Sequence, residues 1–292
     1  MKETFFNDIK SQRNYSEHTL VAYKKDINQF ADFILQEFDT NLENASSDMI
    51  RSWVVQLIEN DYTKTSLHRK ISSLKVFYKY LISQDCIKSN PASKISLPKQ
   101  EQKLPTVLSE KQLSQLLDEL DYPDTFEGRR DRLIIEMLYQ TGIRRAEIVD
   151  LYTNNIDFYN LTIKVTGKGN KQRIIPVDGK LTNLIKAYLH YRNSLEFENI
   201  SNRLFVTKKG TAIYAKLIYR IVNGYLHSVS TASRKSPHVL RHSFATHMLN
   251  NGADINVVKE LLGHSSLNAT QVYTHNTIDK IKSIYKQAHP RA

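Results

Sequence analysis

The chain carries a single cysteine, Cys86, in 292 residues. No internal disulfide and no cysteine-based zinc cluster can be built from one thiol. It also lacks any run of about 18 apolar residues, which argues against a membrane span. The opening residues, MKETFFNDIKSQ, hold no apolar core of a secretory signal, so a cytoplasmic protein with no membrane partner is expected. Internal repeats and low-complexity tracts are missing as well. With 40% hydrophobic and 24% charged residues the composition is that of an ordinary globular protein, and a chain of this length most often makes two domains.

Acid is the other shortage. The net charge of +11 suits a polyanionic partner. Residues 1–90 hold 12 Lys+Arg and 12 Asp+Glu, which cancel, whereas the rest of the chain holds 29 against 18. The whole excess therefore lies beyond residue 90.

Residues 1–90 read as helices throughout. Ser16 can cap a long helix in which Leu20, Tyr23, Ile27, Phe30 and Ile34 form one apolar stripe. Ser47 and Asp48 open another, carrying Ile50, Val54, Leu57 and Ile58. The next spans 63–83, with Leu67, Ile71, Leu74, Tyr78 and Leu81 toward the core. No acid interrupts 63–83, and Lys64, His68, Lys75 and Lys79 gather within roughly 60° beside the apolar stripe. Such a one-signed face is ordinarily solvated; here it is expected to meet DNA.

Residues 91–105, with Pro91, Pro98, Pro105 and Lys94, Lys99, Lys103, read as an extended basic linker. A second domain, 106–292, then starts with a capping box at Ser109 and Gln112. A helix over about 129–140 is closed by Gly142, which has the left-handed freedom a helix end needs. Leu161, Ile163 and Val165 alternate as a strand, Gly167-Lys168-Gly169-Asn170 supplies a turn, and 173–177 returns as a second strand. Helices follow near 180–192 and 215–228, with a short strand at 204–206 between them. The last three are expected over 236–251, over 254–262 with Asp254 as cap and Gly263 as stop, and over about 277–288.

The candidate chemistry lies in 237–275. Pro237 begins a helix, and His238 and Arg241, three residues apart, share a face near its N-terminus, where backbone N–H groups favour an anion. His264 follows the stop glycine Gly263, and Tyr273 stands just before the final helix. Two imidazoles, a guanidinium and a phenol suit a phosphodiester. A phenol that attacks phosphorus must lose its proton as it bonds. A second guanidinium would share the charge that builds on the nonbridging oxygens, and Arg144 is the candidate. Glu147, one helical turn on, either orients that cluster or makes a plain surface ion pair. Lys168 could protonate the departing oxygen. His238 and His242 have the spacing of a zinc pair, but no glutamate occupies the protease position and no further ligand stands out, so no metal is expected. His242 is expected as a hydrogen-bonded residue, either of the core or supporting the site residues from behind.

TGIRRAEI, VTGKGNKQRIIPV, HVLRHSFATHML, LLGHSS and VYTH, in this order and spacing, resemble the tyrosine recombinase (phage integrase) family, and especially its compact Xer-type members. The resemblance covers nearly the whole chain. It implies a mainly α fold with a small β-sheet: a helical, SAM-like core-binding domain followed by an α+β catalytic domain. It implies a site-specific recombinase that cuts and rejoins strands through a covalent 3′-phosphotyrosyl link, with Tyr273 as nucleophile, Arg144 and Arg241 as phosphate clamps and Lys168 as general acid. His238 and His264 would bind phosphate or handle protons, and Glu147 would support them. No cofactor is implied, neither ATP nor metal. The partners implied are double-stranded DNA with a specific recombination site and a tetramer on two duplexes, either of this chain alone or with a paired recombinase, the last helix docking on a neighbouring protomer or packing in its own subunit. Chromosome dimer resolution, DNA inversion and element integration all fit this pattern. A type IB topoisomerase or a non-catalytic DNA-binding regulator is the alternative.

Overall fold

The computed structural model describes residues 1–11, 15, 17–97, 106–167, 170–197, 200–231, 235–263 and 275–291. They form two compact units, Met1–Lys103 and Leu104–Ala292. Among the described residues no helix is long and apolar enough to cross a membrane.

The first unit is helical: α1 (Lys2–Ser11), α2 (Glu17–Phe38), α3 (Ser47–Glu59) and α4 (Lys64–Ser83). The expected cap of α2, Ser16, lies outside the described residues. On α2, Ile27, Phe30 and Ile34 are fully buried. α3 opens at Ser47 as expected and is capped by the Ser46 hydroxyl, which accepts from the Met49 N–H at 3.3 Å. Ile50, Val54 and Leu57 face inward with Trp53, whereas Ile58, rotated one position off the stripe, is 49% exposed. On α4, Leu67, Ile71, Leu74, Tyr78 and Leu81 are buried as the periodicity requires. The buried Lys70 ammonium is matched by the buried Asp26 carboxylate at 3.2 Å.

The expected linker begins as core. Ala92 and Ile95 are buried in the first unit. Asn90 holds this stretch in place, its side-chain amide donating to the Lys75 carbonyl at 3.1 Å and its side-chain oxygen accepting from the Ala92 N–H at 2.9 Å. Proline content predicts an extended backbone, and two small apolar anchors decide where that backbone lies.

The second unit opens with α5 (Glu110–Ser114), capped by Ser109 and Gln112 and continued by a π-helical turn, Gln115–Glu119. Next come α6 (Phe126–Thr141), α7 (Arg145–Val149), β1 (Ile156–Asp157), β2 (Thr162–Thr166) and β3 (Gln172–Pro176). α8 (Gly179–Ser194), α9 (Ala215–Val229), α10 (Pro237–Asn250), α11 (Ile255–Leu262) and α12 (His275–Ala288) complete it. The sheet is antiparallel in the order β1-β2-β3, with Val165 opposite Arg173. β1, two residues long, is too short to leave an alternation in the sequence. Leu161 is not part of the strand; it takes a left-handed turn conformation (φ 52°). Residues 204–206 form no strand either: Val206 makes one isolated bridge to Ala212, and Leu204, Phe205 and Val206 are buried as core.

α6 runs through the middle of this unit, buried along 133–141 and packed by α8 and α10. Gly142 ends it at φ 58°, and a Cβ there would stand 2.5 Å from Phe244 and 2.8 Å from Leu262. That stop turns the chain so that Ile143 points inward and Arg144 emerges at the start of α7. α12 lies on its own unit in the single chain. Ile281, Tyr285 and Ala288 are buried, the Tyr285 hydroxyl donates to the Gln140 carbonyl at 3.2 Å, and the Asn251 amide donates to the Ala288 carbonyl at 2.9 Å. The side chain of Ile278 lies outside the described residues. Burial of each large side chain favours this docking by about 1.5–3 kcal/mol before ordering costs, and the same apolar face that suits a neighbour suits the parent domain.

Candidate active site

Three arginines meet at the C-terminal end of α11. Arg173 donates from Nε to the Leu261 carbonyl at 2.7 Å, Arg241 from Nη2 to the Leu262 carbonyl at 2.7 Å, and Arg144 from Nη2 to the Gly263 carbonyl at 3.1 Å. The last carbonyls of a helix lack internal partners and carry its partial negative charge, so guanidinium groups are suitable neighbours. Arg241 Nη1 also donates to the Gly142 carbonyl at the end of α6. Two helix ends, each closed by a left-handed glycine, thus aim their carbonyls at the same arginine.

One carboxylate balances the cluster. Glu147 receives Arg173 through both Nη atoms at 2.8 Å, and Arg144 through its backbone N–H at 2.8 Å and its Nη1 at 2.9 Å. The residue is buried, so the surface ion pair considered from sequence is overturned. Burial works to raise its pKa, but the hydrogen bonds and charges of Arg173, followed by those of Arg144, outweigh it and hold the carboxyl below its ordinary value. Among the described residues, three guanidinium groups against one carboxylate leave the site net positive.

Arg241 is buried, with its pKa pushed down to about 9 by desolvation first and then by Arg144 and Arg173, against the opposing pull of Glu147. It remains cationic at neutral pH. Arg144 keeps 37% of its side chain exposed and can meet a ligand. His238 stands on the first turn of α10, largely open to solvent. Its pKa is lowered, by partial desolvation first and then by Arg145, His242, Arg241 and Arg144. The shift favours the neutral ring, which can accept as well as donate a proton.

Lys168, His264 and Tyr273 lie outside the described residues. Of the sequence candidates, Arg144, Glu147 and Arg241 are brought into one network, with His238 one helical turn from Arg241. His242 is exposed and not a core residue, because the inward positions of α10 are taken by Leu240, Ser243, Phe244 and His247. Among the described residues no three His, Cys, Asp or Glu side chains are placed to hold a metal. On α4 of the first unit, Lys64 and Lys79 are exposed and His68 and Lys75 half-buried, off the face carrying Leu67, Ile71 and Leu74.

Arg173 was not among the sequence candidates. Its signal was there: β3 alternates Gln172 out and Arg173 in, and an inward arginine on a strand demands a buried acid. Only the fold shows that the acid is Glu147.

The phage integrase family matches residues 106–280, and the phage integrase N-terminal SAM-like domain matches residues 3–85. The chain is 37% identical over 291 residues to the tyrosine recombinase XerC of Anoxybacillus flavithermus, covering 99% of this chain and 97% of that protein. It is 38% identical over 292 residues to the tyrosine recombinase XerC of Staphylococcus aureus, covering 100% and 97%. Among solved structures, the XerH site-specific recombinase bound to palindromic difH substrate in a post-cleavage complex matches with a TM-score of 0.73 at 25% identity, over 93% of this chain and 80% of that one.

With these likenesses, a helical first unit and a mainly helical second unit with a three-stranded sheet define a site-specific recombinase of the tyrosine class. The alternatives of a topoisomerase and a non-catalytic regulator are not favoured. The chain belongs to the phage integrase family, on its Xer-type branch.

Proposed function

We propose that this recombinase binds double-stranded DNA at a specific site and exchanges strands through Tyr273. The Tyr273 oxygen gives its proton to a site imidazole, His238 or His264, as it bonds to the scissile phosphorus, the bond from phosphorus to the 5′ oxygen breaks, and Lys168 gives that oxygen its proton. A 5′-hydroxyl from the partner duplex later reverses the attack. The bond energy is kept in the 3′-phosphotyrosyl link, so neither ATP nor metal is required. Arg144 and Arg241 clamp the nonbridging oxygens, Glu147 holds Arg144, and His238 and His264 bind phosphate or handle protons.

The observation that carries this reading is the convergence of Arg144 and Arg241 on the end of α11, directly before His264 in the chain. DNA as partner is supported by the XerH relative, solved with its difH substrate. Two duplexes exchanging both strands present four scissile phosphates, and each chain has one Tyr273, so four protomers are required. The basic face of α4, with Lys64, His68, Lys75 and Lys79, is assigned to the DNA backbone.

The test begins by selecting, from random-sequence and genomic duplexes, those that the protein traps covalently. On a nicked duplex carrying the selected site, the unmodified chain should form a denaturation-resistant adduct, and Tyr273→Phe should bind but form none. An adduct in Tyr273→Phe overturns the nucleophile assignment. Mass measurement of the complex with two duplexes should give four chains.

A further inference from the structure

We infer that Arg173 is a positioning residue for strand cleavage, acting on Arg144 through Glu147; this rests on the phosphate-clamp reading above. Arg173 occupies an inward position of β3, and only 6% of its side chain is exposed. A charge at that depth persists only when its donors are matched. Both Nη atoms are turned to Glu147 and Nε to the Leu261 carbonyl, so the group faces protein, whereas Arg144 keeps an open flank. Glu147 in turn grips Arg144 by its backbone N–H and its Nη1. The route from strand to clamp is continuous, hydrogen bond by hydrogen bond.

Its second tie reaches the other clamp. Leu261, held by Arg173, directly precedes Leu262, whose carbonyl holds Arg241. The pair is also tightly seated. A Cβ on Gly263 would stand 3.1 Å from Arg173 Nη1 and 3.2 Å from its Cδ, and a Cβ on Gly167 would stand 3.2 Å from Glu147 Oε1. Backbone on both sides therefore confines the ion pair, and a guanidinium is the side chain that fills the space with a planar fork plus a third donor. Lysine keeps the charge but offers a single point of attachment.

The experiment uses the full chain and two nicked duplexes carrying the selected site, one with the ordinary scissile phosphate and one with a methylphosphonate there. Replacing a nonbridging oxygen by methyl removes the charge that a clamp arginine grips, so a clamp defect matters less on the neutral duplex. At saturating DNA, Arg173→Lys should form the adduct about 30-fold or more slowly than the unmodified chain on the ordinary duplex, and within about 5-fold on the neutral one, with DNA affinity changed by less than about 3-fold. An unimpaired rate on the ordinary duplex overturns the inference. So does an equal deficit on both duplexes, which would make Arg173 merely structural. Arg144→Ala is measured alongside. If its deficit is not relieved on the neutral duplex, the clamp reading fails and the inference with it; if it is relieved but that of Arg173→Lys is not, only the inference fails. Should circular dichroism show Arg173→Lys unfolded, the double variant Arg173→Gln with Glu147→Gln, which leaves no orphan charge, is judged by the same two ratios.

Discussion

Arg173 and Glu147 form a two-pronged ion pair, Nη1 to Oε1 and Nη2 to Oε2, both at 2.8 Å and both inside the second unit. The pair ties the sheet to the start of α7 and, through the Leu261 carbonyl, to the end of α11. A bond between a strand and two helix ends makes local changes there felt across the site.

Glu147→Ala should lower the stability of the folded chain by about 3–5 kcal/mol, because it strands a buried guanidinium. Urea unfolding measures this. A loss below about 1 kcal/mol would put the pair in the class of exposed ion pairs and contradict its burial.

Arg241→Lys should bind the selected duplex with near-normal affinity and cleave it about 100- to 1000-fold more slowly, since a point charge cannot hold the Gly142 and Leu262 carbonyls while gripping phosphate. Single-turnover adduct formation is the measurement, and cleavage within a few-fold of normal would remove Arg241 from the clamp.

Gly142→Ala should destabilise the second unit by about 1–3 kcal/mol, from a left-handed φ of 58° combined with a Cβ inside the contact distance of Phe244 and Leu262. Calorimetry should show a lower melting temperature, while Gly179→Ala, at a helix start with open space around its Cα, should not.

His289, behind α12, stacks on Tyr285 at 4.8 Å and has its pKa pushed down to about 3, by burial first. Because the folded value lies below the unfolded value near 6.5, acid protonates the unfolded chain first. Stability from this residue is complete above about pH 6.5 and is lost progressively toward about pH 3. His289→Phe should keep the stacking and flatten the fall in unfolding free energy between pH 6.5 and 4, read from urea titrations at each pH. An unchanged slope would remove His289 from the acid response.

Lys75→Glu with Lys79→Glu should weaken binding to any duplex and reduce the slope of log affinity against log salt by about 1–2, without altering the melting temperature. Fluorescence anisotropy at several salt concentrations tests this. An unchanged slope would return the face to plain solvent exposure.

Local signals in the sequence located most helices because each rests on nearest neighbours in the chain. Thr63 caps α4, Ser109 with Gln112 caps α5, Asp254 and Gly263 bound α11, and the stripes of α2 and α4 repeat at helical spacing. The fates of Ile58, Leu161 and 204–206 were not legible, since an apolar residue is compatible with core, turn or edge until its neighbours in space are known.

The sequence by itself determined the helical class, the charge excess beyond residue 90 and the residue types of the site, since these are properties of composition and spacing. Tertiary structure alone decided that Glu147 is buried between two arginines, that Arg173 belongs to the cluster, that His242 faces outward and that α12 lies on its own chain. Each of these depends on contacts between residues far apart in sequence, where burial, desolvation and shape choose among partners that the one-dimensional pattern leaves equivalent.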